Sequence, residues 1–168
     1  MIINGASGAV GIYAVQLAKY YGAEVTGVCS TGNEGLARKA GADFIIDYTQ
    51  EDFTKADKAY DVVFDAVGKR SFTACRPLPT AKGIYMTTVP TPSILIQMIW
   101  TSLIKGKRAV FATAGLMQNK ANLAFLMDLT RNGTLNAVID RRYPLELLPD
   151  THKYVETERK KGNVIIKF

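Results

Sequence analysis

Eight residues near the start of the chain carry the clearest chemistry: Asn4-Gly5-Ala6-Ser7-Gly8-Ala9-Val10-Gly11. Gly8 would let backbone N–H groups approach a pyrophosphate closely, and Gly11 would let a helix pack tightly on the preceding strand. The helix that begins here would turn its free N–H donors and the positive end of its dipole toward the phosphates. Aligned on its last glycine, the G-x-G-x-x-G pattern has Ala6 in its first place, with Gly5 just before it. The candidates for contact with a dinucleotide at this turn are Ala6, Ser7, Gly8, Ala9, Val10 and Gly11. The same glycines also suit an αβ protein in which they serve turns alone.

Such a turn needs a strand before it and a helix after it. The apolar start Met1-Ile2-Ile3 reads as a buried strand. Nothing precedes it, so the expectation is a cofactor-binding part without the part that would hold a substrate. A helix from about Val10 to Tyr21 would place Val10, Ala14, Leu17, Ala18 and Tyr21 on one buried face, with Gly22 as its terminator. A second strand, Glu24 to Cys29, follows at once, so strand, turn, helix and strand fall within the ~30 residues of a βαβ unit.

The alternation continues. A short helix, Glu34 to Lys39, leads to a strand from Asp43 to Tyr48, and the region of Gln50, Glu51 and Asp52 reads as another short helix. The run Asp61 to Ala66 suits a strand buried on both faces. A helix from Ser71 to Leu78, a strand from Ile84 to Thr88, a helix from Ser93 to Ile104 so apolar all round that it should be buried on most sides, a strand from Arg108 to Ala112 and a helix from Lys120 to Arg131 complete the series. These elements predict an α/β fold, a doubly wound six-stranded parallel sheet with helices on both faces. A tail from Leu135 breaks the pattern, giving domains of 1–134 and 135–168. In it, Ala137 to Asp140 reads as a short strand, Leu147 to Glu158 as a helix and Val164 to Phe168 as a strand with no obvious partner.

Composition narrows the classes. The 168 residues suit one domain with a sizeable core. No apolar run reaches the ~20 residues needed to span a bilayer, which with the lack of a leader predicts a cytoplasmic protein and no membrane partner. Cys29 and Cys75 are in neither zinc nor redox spacing and read as reduced core residues. A single histidine, His152, excludes a multi-histidine metal site. The net charge of +6 is scattered except at Arg159-Lys160-Lys161, which reads as a solvated helix end, and no nucleic-acid motif is present.

Taken together, several segments resemble the nucleotide-binding half of the medium-chain dehydrogenase/reductases, in the branch similar to quinone oxidoreductases and zinc-type alcohol dehydrogenase homologues. They are Asn4 to Gly11 with Ala14 to Lys19, Leu36 to Asp43, Ile46-Asp47-Tyr48, Tyr60 to Gly68, Tyr143 to Glu146 and Lys161 to Ile166. The resemblance implies a Rossmann fold and NAD(P)-dependent hydride transfer to a carbonyl, an enone or a quinone. It implies that an N-terminal catalytic domain holds any zinc, that the tail completes that domain's sheet, and that two copies join through the edge strand 108–112.

It also bears on cofactor choice. The second strand ends in Ser30 and Thr31 rather than the carboxylate that would accept the ribose hydroxyls of NAD. Resembling enzymes place such hydroxyls, and a Tyr after the third strand (here Tyr48), around a 2′-phosphate. NADP(H) is therefore expected over NAD(H). The usual following cation is replaced by Gly32, Asn33 and Glu34, and Ser30 and Thr31 also suit a helix cap. By resemblance and the strand-end rule, Asp65, Val67, Gly68, Val89, Phe111 and Ala112 join the cofactor-binding candidates.

No catalytic residue and no metal ligand stands out. There is no Tyr-x-x-x-Lys pair, no G-x-S-x-G elbow and no phosphate-binding G-x-x-x-x-G-K-[ST] loop. The expectation is binding without efficient turnover by this chain alone. The alternative is a non-catalytic module that binds a nucleotide or a partner.

Overall fold

The computed structural model describes residues 1–112 and 119–168. Six strands form one parallel sheet: β1 (Ile2–Asn4), β2 (Thr26–Cys29), β3 (Phe44–Asp47), β4 (Tyr60–Asp65), β5 (Pro79–Thr87) and β6 (Arg108–Phe111). Their order is β3-β2-β1-β4-β5-β6, so the chain leaves β3 at one edge and returns to the far side of β1. This is the doubly wound arrangement expected from the alternation.

Period-two side-chain alternation builds a core on each face of the sheet. Ile2, Val28, Val63 and Tyr85 point into one layer, where they meet Phe53, Phe72, Leu78 and Ile94. Ile3, Cys29 and Phe64 point into the other, against Ala6, Val15, Ala18 and Ala37. Adjacent Ile2 and Ile3 are both wholly buried, and burying each such side chain contributes ~1.5–3 kcal/mol.

The helices are α1 (Ala9–Tyr20), α2 (Glu34–Lys39), α3 (Phe72–Cys75), α4 (Pro92–Leu103), α5 (Lys120–Arg131) and α6 (Leu148–Glu156). Side chains cap several of them. Ser71 Oγ accepts from the Ala74 N–H at 3.1 Å, Thr91 Oγ1 from Ile94 at 3.2 Å, and Asn119 Oδ1 from Asn122 at 2.7 Å. The short helix expected near Gln50 forms later, as a 3-10 turn at Phe53–Lys55.

Three expectations are corrected. The buried stripe of α1 is Gly11, Ile12, Val15 and Ala18, while Val10 is half exposed and Tyr21 lies on the surface. The apolar pattern alone did not fix the helix's rotation; the close packing of Gly11 on the turn below it does. Helix α4 is not buried on most sides. Only Ile94 is buried, because α4 lies along β6 at the sheet's edge, and Ile96, Ile99, Trp100 and Leu103 face outward. The last strand does have a partner: β7 (Ile139–Pro144) pairs in parallel with β8 (Asn163–Lys167) as a separate two-stranded sheet.

That tail is tied together at Asp140, whose Oδ2 accepts from the Tyr154 hydroxyl at 2.6 Å and from the Lys161 N–H at 2.9 Å. It is tied to α1 by a reciprocal pair. Gln16 Nε2 donates to the Asn136 carbonyl at 3.0 Å, and the Asn136 N–H donates to Gln16 Oε1 at 2.7 Å.

Candidate functional site

The strands all end on the same side, and the turn after β1 sits where the winding changes direction, between β2 and β4. Gly5 adopts φ +82°, and a Cβ on it would stand 2.7 Å from Val67 Cγ2. A Cβ on Gly11 would fall 2.0 Å from the Gly5 carbonyl oxygen. These two glycines are required by the protein itself. Gly8 is different. Its φ is −80°, and an added Cβ would meet only the Gly5 oxygen at 3.4 Å, ordinary contact. Gly8 is the residue before α1, no side chain among the described residues caps that helix, and its first turn holds no acid. The end of α1 therefore presents backbone donors and a positive dipole end to the cleft.

The cleft has a volume of about 660 Å³. Ser7, Gly8, Ala9, Val10 and Gly11 line it, as do Tyr48 and Val67. Ala6 does not; it is wholly buried beneath the turn, against the inner sheet face. Ser30 is half-buried and Thr31 exposed beside the cleft rather than in its lining. Tyr48 is 57% exposed and flanks it. Gly68 (φ +73°) packs under Val89, whose Cγ2 would lie 2.4 Å from an added Cβ, so neither reaches the lining. Phe111 and Ala112 also lie outside it; the Ala112 N–H extends the β5 ladder to the Thr87 carbonyl at 2.8 Å.

Asp65 requires a correction of role. It is 1% exposed, and its carboxylate is spent on the protein. Oδ1 accepts from Asn4 Nδ2 at 2.9 Å and from the Val67 and Gly68 N–H groups at 3.0 and 2.9 Å, while Oδ2 accepts from the Tyr85 hydroxyl at 3.0 Å. Asp65 shapes the cleft floor instead of touching what lies in it. Desolvation in this packing, and then the Asp65 charge, push the Tyr85 phenol far up.

At the β2 end an acid appears that spacing did not reveal. Parallel register sets Asp47 beside Cys29. Its carboxylate accepts from the Thr31 hydroxyl, from the Thr49 N–H and hydroxyl at 2.9 and 2.7 Å, and from Gln50 Nε2 at 3.1 Å. These bonds, Thr31 first, hold the carboxyl below the usual range.

Sequence reasoning also missed the cations. Lys69, Arg70 and Lys160 line the cleft. Lys69 pairs with Glu158, and Arg70 lies 3.6 Å from Asp52. In sequence alone Lys160 reads as part of a solvated helix end. It reaches the cleft because the tail folds back: the Gly162 N–H donates to the Ser7 carbonyl at 3.0 Å and Asn163 Nδ2 to the Tyr13 hydroxyl at 3.2 Å. No local pattern encodes that return.

Acid–base groups are sparse. His152 is exposed on α6. Burial pushes the Cys29 thiol to about 11 and the Cys75 thiol to about 12, so neither supplies a thiolate at neutral pH. Among the described residues no three His, Cys, Asp or Glu side chains converge in a way that fits a metal ion, and none of their helices is long and apolar enough to cross a membrane.

A family model described as zinc-binding dehydrogenase matches residues 40–166. A mitochondrial NAD(P)H oxidoreductase of Mus musculus is 32% identical over 98% of this chain. A chloroplastic NADPH-dependent alkenal/one oxidoreductase of Arabidopsis thaliana is 32% identical over 99% of it. The chain spans less than half of either protein, 47% and 39%. The quinone oxidoreductase structure from Coxiella burnetii superposes with a TM-score of 0.87 at 27% identity, covering 99% of this chain and 52% of that one. These findings overturn the cytoplasmic expectation, since the relatives carry mitochondrial and chloroplastic names. A domain's apolar content does not distinguish one aqueous compartment from another.

Proposed function

The chain belongs to the zinc-binding dehydrogenase family, and from that premise we propose that it forms the NADP(H)-binding portion of an oxidoreductase acting on a carbonyl, an enone or a quinone. The observation that carries this reading is the turn after β1. Gly5 and Gly11 bring the uncapped start of α1 against the strand ends, and Gly8 leaves the approach to it open. A pyrophosphate there would meet the N–H groups of residues 9–11, since the Gly8 N–H already donates to the Gly5 carbonyl at 2.9 Å, with Lys160, Lys69 and Arg70 as the surrounding positive charge. The adenosine end would lie toward Ser30, Thr31 and Tyr48, and the nicotinamide toward Val67. When bound, the nicotinamide supplies or accepts a hydride. The names of the relatives support the substrate classes.

In this reading residues 1–134 form the dinucleotide-binding unit and 135–168 the tail. These 168 residues bind cofactor without efficient turnover, because among the described residues the ionisable side chains at the cleft other than Tyr48 are engaged in ion pairs and hydrogen bonds or, like Cys29, held protonated by burial. A second copy pairs along the open β6 edge, with the outward apolar face of α4 beside the contact.

Calorimetric titration of the chain with NADPH and then NADH tests the proposal. Binding of both with NADPH preferred is the expected result. Binding of neither would return the chain to a scaffold or partner-binding module. Steady-state reduction of a quinone or an enal by the chain alone would overturn the claim of binding without turnover.

A further inference from the structure

We infer that Asp47 is a specificity-determining residue, one that weakens the site's selection for a 2′-phosphate; the inference rests on the reading that the cleft takes a nicotinamide dinucleotide. Ser30 and Thr31 look interchangeable in sequence, as two hydroxyls at the end of β2. Their hydrogen bonds separate them. Ser30 Oγ accepts from Asn33 Nδ2 at 3.2 Å, which leaves its own hydrogen free to donate. The Thr31 hydroxyl hydrogen goes to Asp47 Oδ2. Thr49 sits 3.3 Å from Thr31, but its hydrogen goes to Asp47 Oδ1, so no spare donor remains between the two threonines. Toward a phosphate, Thr31 therefore offers only oxygen lone pairs.

The charge acts in the same direction. Asp47 is held ionised by its donors and lies at the level of Cys29, one strand from the hydroxyl pair. A doubly charged 2′-phosphate at Ser30 and Thr31 would share this corner with a fixed carboxylate. The 2′-hydroxyl of NADH meets no such repulsion. Arg38 and Lys39 in the last turn of α2 are both exposed, and neither pairs with Asp47 to offset its charge. Asp47 thus does from β3 part of what an acid at the end of β2 does in NAD-specific sites.

Asp47→Asn tests this. The Thr49 N–H and hydroxyl both need an acceptor, so the amide oxygen takes the Oδ1 position. The amide nitrogen then faces Thr31 and Gln50; the Gln50 amide turns its oxygen inward to accept, and Thr31, no longer facing an acceptor, releases its hydrogen toward the ligand. By calorimetry on the full chain, the ratio of NADPH to NADH affinity is expected to rise at least fivefold. A smaller rise would overturn the inference. Thr31→Val serves as a second measurement that does not depend on the folding of the first variant. Compared with Ser30→Ala, which removes the free donor, it is expected to lose at least threefold less NADPH affinity, and an equal or larger loss would overturn the inference too. Binding of neither nucleotide by the native chain would defeat the underlying reading, and this inference with it. Native binding with an unchanged ratio in Asp47→Asn would defeat the inference alone.

Discussion

Asn4 Nδ2 donates to Asp65 Oδ1 across 2.9 Å, so a buried amide–carboxylate bond ties the end of β1 to the end of β4. The two segments that frame the cleft, the glycine turn and the Ala66-Val67-Gly68 turn, are therefore joined by this side-chain contact as well as by the backbone pairing of the two strands. Val67 then fills the space left by the missing side chain of Gly5. Asp65→Ala would strand the Asn4 amide and two N–H groups, while the Tyr85 hydroxyl keeps the Arg70 carbonyl as its acceptor at 3.1 Å. It is expected to lower unfolding free energy by roughly 3 kcal/mol in urea titration, since each unsatisfied buried group costs about 1–3 kcal/mol and some regain water. An unchanged urea midpoint would show that the network contributes little.

The glycines of the turn separate by what they touch. Gly11→Ala drives a methyl into the Gly5 carbonyl, which is backbone and cannot swing aside, so a loss of about 1–3 kcal/mol or more is expected in thermal or urea unfolding. Gly8→Ala has room and an ordinary φ. Its melting temperature should stay within a few degrees of the native value while NADPH affinity falls about tenfold or more, about 1.4 kcal/mol. Equal binding by Gly8→Ala and the native chain would remove Gly8 from the phosphate contact.

The acid limb of stability has a defined sign. Asp43, Asp47 and Asp140 have folded carboxyl pKa values below the ordinary 3.8. For Asp43 the cause is first its hydrogen bond from Lys19, then the Val25 N–H; for Asp140 burial is the largest single influence and acts upward, but the Tyr154 hydroxyl, the Lys161 N–H and the charges of Arg141 and Lys161 together outweigh it. Their contribution is fully present above about pH 4 and is lost as pH falls through the depressed values. Melting temperature should hold level from pH 7 to about 5 and drop below about 4. Asp140→Asn should make that drop shallower. A drop of unchanged steepness would assign the acid limb to other groups.

Trp100 is the chain's single tryptophan and stands 66% exposed on the outer face of α4. If two copies meet along β6, its emission should shift to shorter wavelength as concentration rises, in step with sedimentation to a dimer. Ile99→Glu, on the same face, should keep the protein monomeric at concentrations where the native chain has paired. Emission independent of concentration, with a monodisperse monomer, would count against this contact.

Most of the fold was legible in the residues. Apolar runs of strand length, glycine turns and helices with strong starts such as Thr91-Pro92 and Asn119 specify a parallel doubly wound sheet, because each signal is local and agrees with its neighbours. The glycine turn was legible for the same reason: eight consecutive residues contain both the tight bend and the start of α1.

Only the tertiary structure decided the rest of the site. Asp65 is set apart from the cleft by Asn4 and Tyr85, contributed by two other strands. Asp47 enters through parallel register with Cys29, which no spacing within β3 discloses. Lys160 arrives through the hydrogen bond from Gly162 to Ser7, two residues 155 positions apart. The chain's own order set the elements and the turn, since these depend on neighbours a few residues away. The floor of the cleft and its charge depend on backbone pairings between distant segments, and those exist only once the sheet has formed.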